Sequence, residues 1–460
     1  MKRSGCRWLA LSSLLAALVC ALAASGETRP EYGGTLRMMM RAAPTSLDPA
    51  DRSVPDSFGR RNLAAMIFDT LVTIDAGGRA VASLADSWHG SADGQQWQLH
   101  VRRNVTFHDG SALSAESVAA SLRFANPTWR VTADGEMVTV GRDAASSDLL
   151  AELALPRNAI VKRDGASLSG TGPFRIAEWQ AGSRVTLSAN ENCWRGRPFL
   201  DGIEIELGKS FRDQIGGLQL GRADVVEAAP EQNRRLSQDG RRIASSAPME
   251  FVTLVFARDV ASADERSLRD AMAASVERGS MSSVLLQGAG QPAGGLLPTW
   301  ISGYGFVFAS AADLTRARAL RSQTHSVAAN WTLGYDGNDP MDRLLAERIA
   351  LNAKDAGIVI QPKPAAGADL RLVRIPISST DPGTALQEMA SQLGLPATRV
   401  KSNSPDDLYA AEEALRASGR IIPLFHLPES YASAPSVRNL SLRADGSLGL
   451  ADAWLETPKP

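Results

Sequence analysis

The side chains able to do chemistry are sparse and scattered. There are five histidines, His89, His100, His108, His325 and His426. None forms H-E-x-x-H or pairs with another at a metal-ligand spacing. No G-x-S-x-G elbow and no phosphate-cradling G-x-x-x-x-G-K-[ST] loop occurs. Carboxylates are plentiful but read as solvated surface charges. Of the three cysteines, Cys6 and Cys20 fall in an apolar leader, leaving Cys193 as a small apolar residue with no activating histidine nearby. An enzyme is not expected, nor a cofactor or a resident metal. A formal net charge of −1 offers no broad basic surface for nucleic acid or anionic lipid.

Among groups that could hold a ligand, Trp300 and Tyr304 stand in a Gly/Pro-rich stretch and could supply a stacking surface, as could Trp331. Simple packing serves them as well. Arg374 shares strand parity with Leu370 and Leu372. It therefore points inward at the strand's C-terminal edge, where open α/β sheets bind ligands, or the strand ends a residue early and leaves it on the surface. A cation at that edge would suit a ligand carboxylate or phosphate.

These residues need elements to position them. Lys2, Arg3 and Arg7 precede the uncharged run Trp8 to Ala24, with small residues at Ala21, Ala23 and Ser25. That pattern is a cleavable secretory signal over residues 1–26. Lipidation at Cys20 is the weaker reading because Val19 precedes it. No later run approaches ~18 apolar residues. The remaining chain is too long for one core. A strand is expected over Tyr32 to Met40 and helical spacing over Leu63 to Leu71. Asp93-Gly94 marks a hairpin, and a helix follows from Ser114 to Phe124. Residues 170 to 207 form an antiparallel meander of alternating strands, with turns at Gly170, Gly172, Pro173 and Gly182 and a tryptophan loop at Trp194, Gly196 and Pro198. Glu250 to Phe256 reads as a buried central strand and Glu265 to Val284 as one amphipathic helix. From Val327 onward, strands ending at Gly334, over Gly357 to Gln361 and over Leu370 to Arg374 alternate with helices over Asp342 to Ala356, Thr384 to Leu393 and Pro405 to Ser418. This alternation predicts a mostly parallel sheet covered on both faces.

The run G-T-G-P-F…W…G…N-E-N-C-W-R-G-R-P-F-L-D, residues 170 to 201, resembles the signature of the extracytoplasmic solute-binding proteins of ABC importers, the peptide/nickel-binding family (family 5). Cys193 stands where the family usually has Tyr. Similar family elements are Thr45-Ser46-Leu47-Asp48-Pro49, Phe107-His108-Asp109-Gly110 and Leu218 to Val226. The resemblance implies an α/β, two-lobed periplasmic-binding-protein-like fold (type II, cluster C) with an extra small domain. Lobe I would comprise 27–52, 170–250 and 430–460, the small domain 53–169, and the α/β lobe II 251–429.

It also implies a monomeric periplasmic protein that captures a peptide or related small solute and delivers it to permease subunits in the inner membrane. Ser46 would sit at the mouth of the cleft. Some relatives bind nickel with a histidine of the last lobe, which draws attention to His426. One histidine is not a metal site, and an imidazole satisfied by the backbone is the preferred reading. His108 is read as a turn-capping residue. Aligning on Asp381-Pro382 places Ser378 where peptide-binding members carry the aspartate that grips the ligand's α-ammonium. A serine cannot replace that charge-assisted bond. Ser378→Asp is then expected to create affinity for free dipeptides. The departure leaves open a blocked peptide or a non-peptide ligand such as a sugar, opine or metal chelate. A ligand sensor for a membrane receptor and a secreted hydrolase are the rival functions.

Overall fold

The computed structural model describes residues 29–456 apart from 93, 143–148, 325–329, 366, 398–399 and 401. The signal segment, His325 and the first residue of the Asp93-Gly94 turn therefore lie outside the described residues.

The chain opens with β1 (Thr35–Met39) and helix α1 (Phe58–Ile67), which begins where the Ser57 hydroxyl accepts from Arg60 N. It then builds a separate small sheet from β2 (Ala85–Gly90), β3 (Gln96–Val101), β4 (Arg130–Asp134) and β5 (Met137–Gly141), ordered β2-β3-β5-β4. Helix α2 (Ala115–Ala125) covers it, started by a reciprocal capping box between Ser114 and Ser117. Leu99, Val118, Leu122, Val138, Val140 and Ile160 form this unit's own core. Entry and exit of the unit lie side by side, because Ile160 N donates to Asp69 O at 2.8 Å.

The meander follows as β6 (Phe174–Gln180), β7 (Arg184–Ala189) and β8 (Gly202–Glu206), then α3 (Phe211–Gln219) and β9 (Val225–Glu227). β6, β7 and β8 pair antiparallel, whereas β1 lies parallel to both β8 and β9. The long β10 (Arg242–Phe256) leads to α4 (Ala263–Ser275), α5 (Arg278–Val284) and α6 (Leu314–Ser322). Next come β11 (Asn330–Gly334), α7 (Pro340–Asp355), β12 (Val359–Lys363), β13 (Leu370–Pro376), α8 (Pro382–Gln392) and α9 (Pro405–Ala417). The chain returns through β14 (Ile421–Ser433).

One eleven-stranded sheet runs through both lobes in the order β6-β7-β8-β1-β9-β14-β10-β13-β11-β12, with a short strand at Gln291–Pro292 beside β14. β10 and β14 are long enough to serve both halves. At one end β14 pairs β9, and at the other β10 pairs β13. These paired strands are the hinge. The second lobe's sheet is mixed rather than mostly parallel, since β10 meets both β13 and β14 antiparallel while β11 pairs parallel with β12 and β13. The cause is the return of the chain along β10, which makes those two strands a crossing ribbon rather than a βαβ unit. In β10, Phe251, Val252, Leu254, Val255 and Phe256 are all buried, so both faces are covered as expected of a central strand.

The single helix expected from Glu265 to Val284 is two helices. Val276 leaves the helical region at ψ 114°. Arg278, itself buried, turns inward to donate to Pro423 O at 2.7 Å and to the carbonyls of Ala273 and Val276 at 3.2 Å. Satisfying a buried guanidinium outweighs one uninterrupted helical turn.

The meander's turn is held by His108. Its Nδ1 accepts from Gly170 N at 3.3 Å and its Nε2 donates to Gly172 O at 3.0 Å, which fixes the tautomer. Burial keeps this imidazole below its ordinary pKa. Asp69 collects the rest of the motif, accepting from Thr171 Oγ1 at 2.8 Å and Trp194 Nε1 at 3.0 Å and pairing with Arg195. Cys193 is buried, and burial raises its thiol pKa. The motif residues are scaffold.

Candidate ligand cleft

A cavity of about 1700 Å³ opens where strands of the two lobes end. From lobe I it is lined by Arg41 and Ala42 after β1, Gly208 to Asp213 after β8, and Glu227 to Glu231 around the end of β9. From lobe II it is lined by Gly334 to Asp342 after β11 and by Arg371 to Arg374 of β13, while the hinge strands contribute Glu250 and Glu429. Parallel strands end at this edge on both sides, so the cleft sits where open α/β sheets leave a crevice.

Arg374 occupies its wall. Its guanidinium is only 17 % exposed and is already engaged, with Asp342 Oδ1 at 2.8 Å, Glu250 Oε2 at 3.0 Å and Asp339 Oδ2 at 3.9 Å. Burial alone would ease off its proton, but Glu250, Asp342 and Asp339 together hold its pKa above the ordinary arginine value. Burial pushes Asp342 up to about 6, partly offset by Arg374. Arg374 thus has the inward direction expected of its parity, yet its donors face protein carboxylates.

Across the cleft, Arg41 Nη2 reaches Asp339 Oδ2 at 3.4 Å and its guanidinium stacks 4.5 Å from the Phe211 ring centroid. The backbone N of Arg41 donates to Glu227 Oε2 at 2.6 Å, and Gln214 Nε2 donates to the same oxygen at 3.2 Å. Burial raises the pKa of Glu227 and of Glu231, and raises Glu429 well above the usual carboxyl value, with Glu227 and Glu250 adding repulsion. Behind Glu429 stands Tyr431, whose hydroxyl accepts from Asn62 Nδ2 at 2.7 Å and bonds to Glu429. Sequence reading missed these acids. The only signal was acidic residues placed just past strand ends, which most surface loops share.

The other candidates lie elsewhere. Ser46 shapes its own loop, its hydroxyl accepting from Asp48 N at 3.2 Å. Trp300 is 37 % exposed on lobe II and donates to Pro248 O at 3.1 Å. Tyr304 is buried, donating to Glu412 Oε2 at 2.9 Å and packing edge-on to Phe308 and Tyr409. Trp331 lies edge-on to Phe256 in the lobe II core. None of these lines the cavity.

Ser378 is also buried and apart from the cavity, its hydroxyl lacking a hydrogen-bond partner. The reason is local. Arg61, buried on α1, donates to Pro376 O at 3.1 Å and Ile377 O at 2.6 Å, and Thr380 Oγ1 donates to Asp75 O at 2.8 Å. These bonds draw the loop after β13 against α1 and the small domain, so position 378 looks into protein.

His426 is buried on β14 and does not line the cavity, with Nε2 donating to Leu296 O at 2.7 Å and the ring 5.4 Å from Phe251. Among the described residues no cluster of three metal-ligating side chains occurs. Burial lowers the His426 pKa to about 4. A histidine with a depressed folded pKa favours folding while neutral. That stability is complete above the unfolded value of ~6.5 and is lost as pH falls towards about 4. His426→Gln is therefore expected to unfold over pH 4 to 6.5 with a flatter stability profile than the parent, by urea titration. An unchanged slope would show that this imidazole is not what titrates.

The fold and cleft define a two-lobed α/β protein whose lobes meet over a charged crevice. Residues 79–390 match the family described as Bacterial extracellular solute-binding proteins, family 5 Middle, and the chain belongs to that family. It is 24 % identical over 277 residues to the nickel-binding protein NikA of Staphylococcus aureus, the match covering 57 % of this chain and 55 % of that protein. The chain thus matches little more than half the length of that relative. Among solved structures, it is similar to NikA from Brucella suis in complex with Fe(III)-EDTA, at a TM-score of 0.77 and 18 % identity over 92 % of this chain and all of the other. The dipeptide-binding protein from Pseudoalteromonas sp. SM9913 in complex with Met-Leu has the same TM-score, 17 % identity and the same coverage. At these identities the likeness is one of fold. Among the described residues no helix is long and apolar enough to cross a membrane.

Proposed function

We propose that this chain is the periplasmic solute-binding component of an ABC importer. It captures a peptide or related small solute between its lobes and hands it to permease subunits in the inner membrane. The observation that carries this reading is the cavity itself, of about 1700 Å³, walled by both lobes at their strand ends and joined by two hinge strands. Closure follows binding because the ligand contacts both walls only in the closed form. Relatives named as nickel-binding, glutathione-binding and peptide transport proteins support the class of activity. The basic, then apolar, leader supports export through a cleavable signal, with a monomer as the working form. Capture requires no bond making, and the reading assigns neither a catalytic group nor a cofactor to the chain.

Native mass spectrometry of protein purified from its own periplasm tests it. A co-purifying small molecule, released intact on denaturation, is expected. Recovery of a chemically altered product on incubation would replace capture by catalysis. A second test concerns the loop after β13. Ser378→Asp is expected to bring no affinity for free dipeptides, because position 378 is buried and is not part of the cavity lining. Calorimetric binding of a dipeptide by that variant alone would place this loop in the ligand site.

A further inference from the structure

The cleft contains more carboxyl groups than cations able to neutralise them. Glu227, Glu231, Glu250, Asp339, Asp342 and Glu429 all line the cavity, and the cations set among them are the half-exposed Arg41 and the mostly buried Arg374. Arg374 is taken by Glu250 and Asp342. Among the described residues, Glu227, Glu231 and Glu429 make no ion pair within 4 Å.

Asp339 is a separate indication. Its Oδ1 caps α7 through Met341 N at 2.9 Å, whereas its Oδ2 has no hydrogen bond although the side chain is only 3 % exposed. That oxygen looks into the crevice between Arg41 and Arg374, at 3.4 and 3.9 Å. The two guanidinium groups compensate its charge at ion-pair distance but give it no hydrogen bond, so it keeps an acceptor free for a ligand donor. The other cavity cations do not fill this role. Arg212, Arg235 and Arg371 are exposed at the rim, and Lys209 pairs with Glu206 at 2.8 Å. Exposed, solvent-screened charges contribute little to the floor.

We propose that the cleft takes a small organic polycation, a molecule carrying at least two ammonium or guanidinium groups, held by Glu227, Glu231 and Glu429 on one side and Asp339 on the other. The proposal rests on the capture reading above and names its substrate class. Burial favours the neutral acids at Glu227, Glu231 and Glu429 when no cation lies against them. A cation arriving there favours the ionised acids, so the protons leave as the ligand enters. Arg41 and Arg374 oppose the incoming charge, and Glu250, Asp342 and the Tyr431 hydroxyl complete the polar groups facing it. Binding should therefore strengthen as pH rises and weaken as it falls.

Two sources share this chemistry, polyamines and short basic peptides. Isothermal titration of the purified full chain with spermidine, Lys-Lys, Ala-Ala and Glu-Glu, each in two buffers of different ionisation enthalpy, separates them. Spermidine, Lys-Lys or both should bind at least tenfold more tightly than the neutral and acidic dipeptides. Protons should be released, and affinity should fall between pH 7 and pH 5. Which polycation binds identifies the source. Glu429→Gln mimics the protonated acid and should keep the parent melting temperature while losing about tenfold in polycation affinity and part of the proton release. Glu231→Gln serves the same purpose if that variant fails to fold. Equal binding of Ala-Ala or Glu-Glu, binding of none of the four, or an unchanged proton count in the folded variants overturns the proposal. A neutral or anionic solute recovered from the native protein would sink this inference while leaving capture intact. Recovery of a product of turnover would sink both.

Discussion

Arg374→Met should destabilise the protein by about 3 to 5 kcal/mol near pH 8, the range for removing one partner of a buried ion pair. The guanidinium touches Asp342 and Glu250 and approaches Asp339, and little solvent reaches it to screen the loss. Methionine fills much of the volume but leaves those carboxylates facing one another. Asp342, which burial already raises to about 6 against the pull of Arg374, then takes up a proton more readily still. Acids raised in this way are most compatible with the fold below their unfolded pKa, and that compatibility is lost as pH rises through the folded pKa. The deficit should accordingly shrink towards pH 5. Urea unfolding at the two pH values checks both parts, and a deficit independent of pH would mean that packing, not charge, explains it. Arg374→Lys should recover only part of the loss, because an ammonium cannot span the separated carboxylates as a planar fork does.

Gly170→Ala is expected to cost about 3 kcal/mol or more, at the upper end for overpacking a filled site. An added Cβ would stand 2.0 Å from Ile67 O and 2.6 Å from Phe68 Cδ1. Relief requires the end of α1 to move, and Gly170 itself is bonded on both sides, its N to His108 Nδ1 and its O from His108 N at 2.9 Å. Gly172 is confined in the same way, with Ile67 C at 2.7 Å from its would-be Cβ. Substitution at Gly196, where nothing lies within 4 Å but φ is +101°, acts through the backbone alone and should cost less. Thermal melts of Gly170→Ala and Gly196→Ala, run side by side, decide whether close approach or conformation dominates the motif. If Gly170→Ala melts with the parent, the contact with α1 is not what demands glycine there.

Local signals explain why so much of the scaffold could be read in advance. The meander, the Ser114 helix start and the central strand at Glu250 to Phe256 are specified by residues close together in the chain. A hydroxyl three residues before a helix N–H and period-two burial need no distant partner. The α4–α5 break was illegible because its cause, the carbonyl of Pro423, is remote from Arg278. The sheet's mixed direction was hidden for a similar reason: strand spacing shows alternation with helices but not which strand returns beside which.

The cleft was the least legible part. Arg374 could be placed by parity at a strand edge, but its partners Glu250 and Asp342 stand 124 and 32 residues away. Glu227 and Glu429 approach through the pairing of β9 with β14. Conversely, Ser378 was singled out by alignment with relatives, and Arg61 and Asp75 turn its loop elsewhere. Linear alignment identifies a position; the surrounding hydrogen bonds decide where it looks.

The doorway between Asp69 and Ile160 has a consequence for the history of such chains. The small unit leaves and rejoins the main body across one hydrogen bond and carries a core of its own. A segment whose two stems abut can lengthen or shorten without changing the span its host must bridge. Gain and loss of chain should therefore collect inside it, while the hinge ribbon, threaded through both lobes, tolerates none. The unit is tied down by His108 on Gly170 and Gly172 of the meander's turn, by Arg157 on Glu388 at 2.5 and 2.9 Å, and by Thr380 on Asp75. Those few links are where a resized insert would have to be refitted, and they make the unit an interchangeable part mounted on a fixed frame.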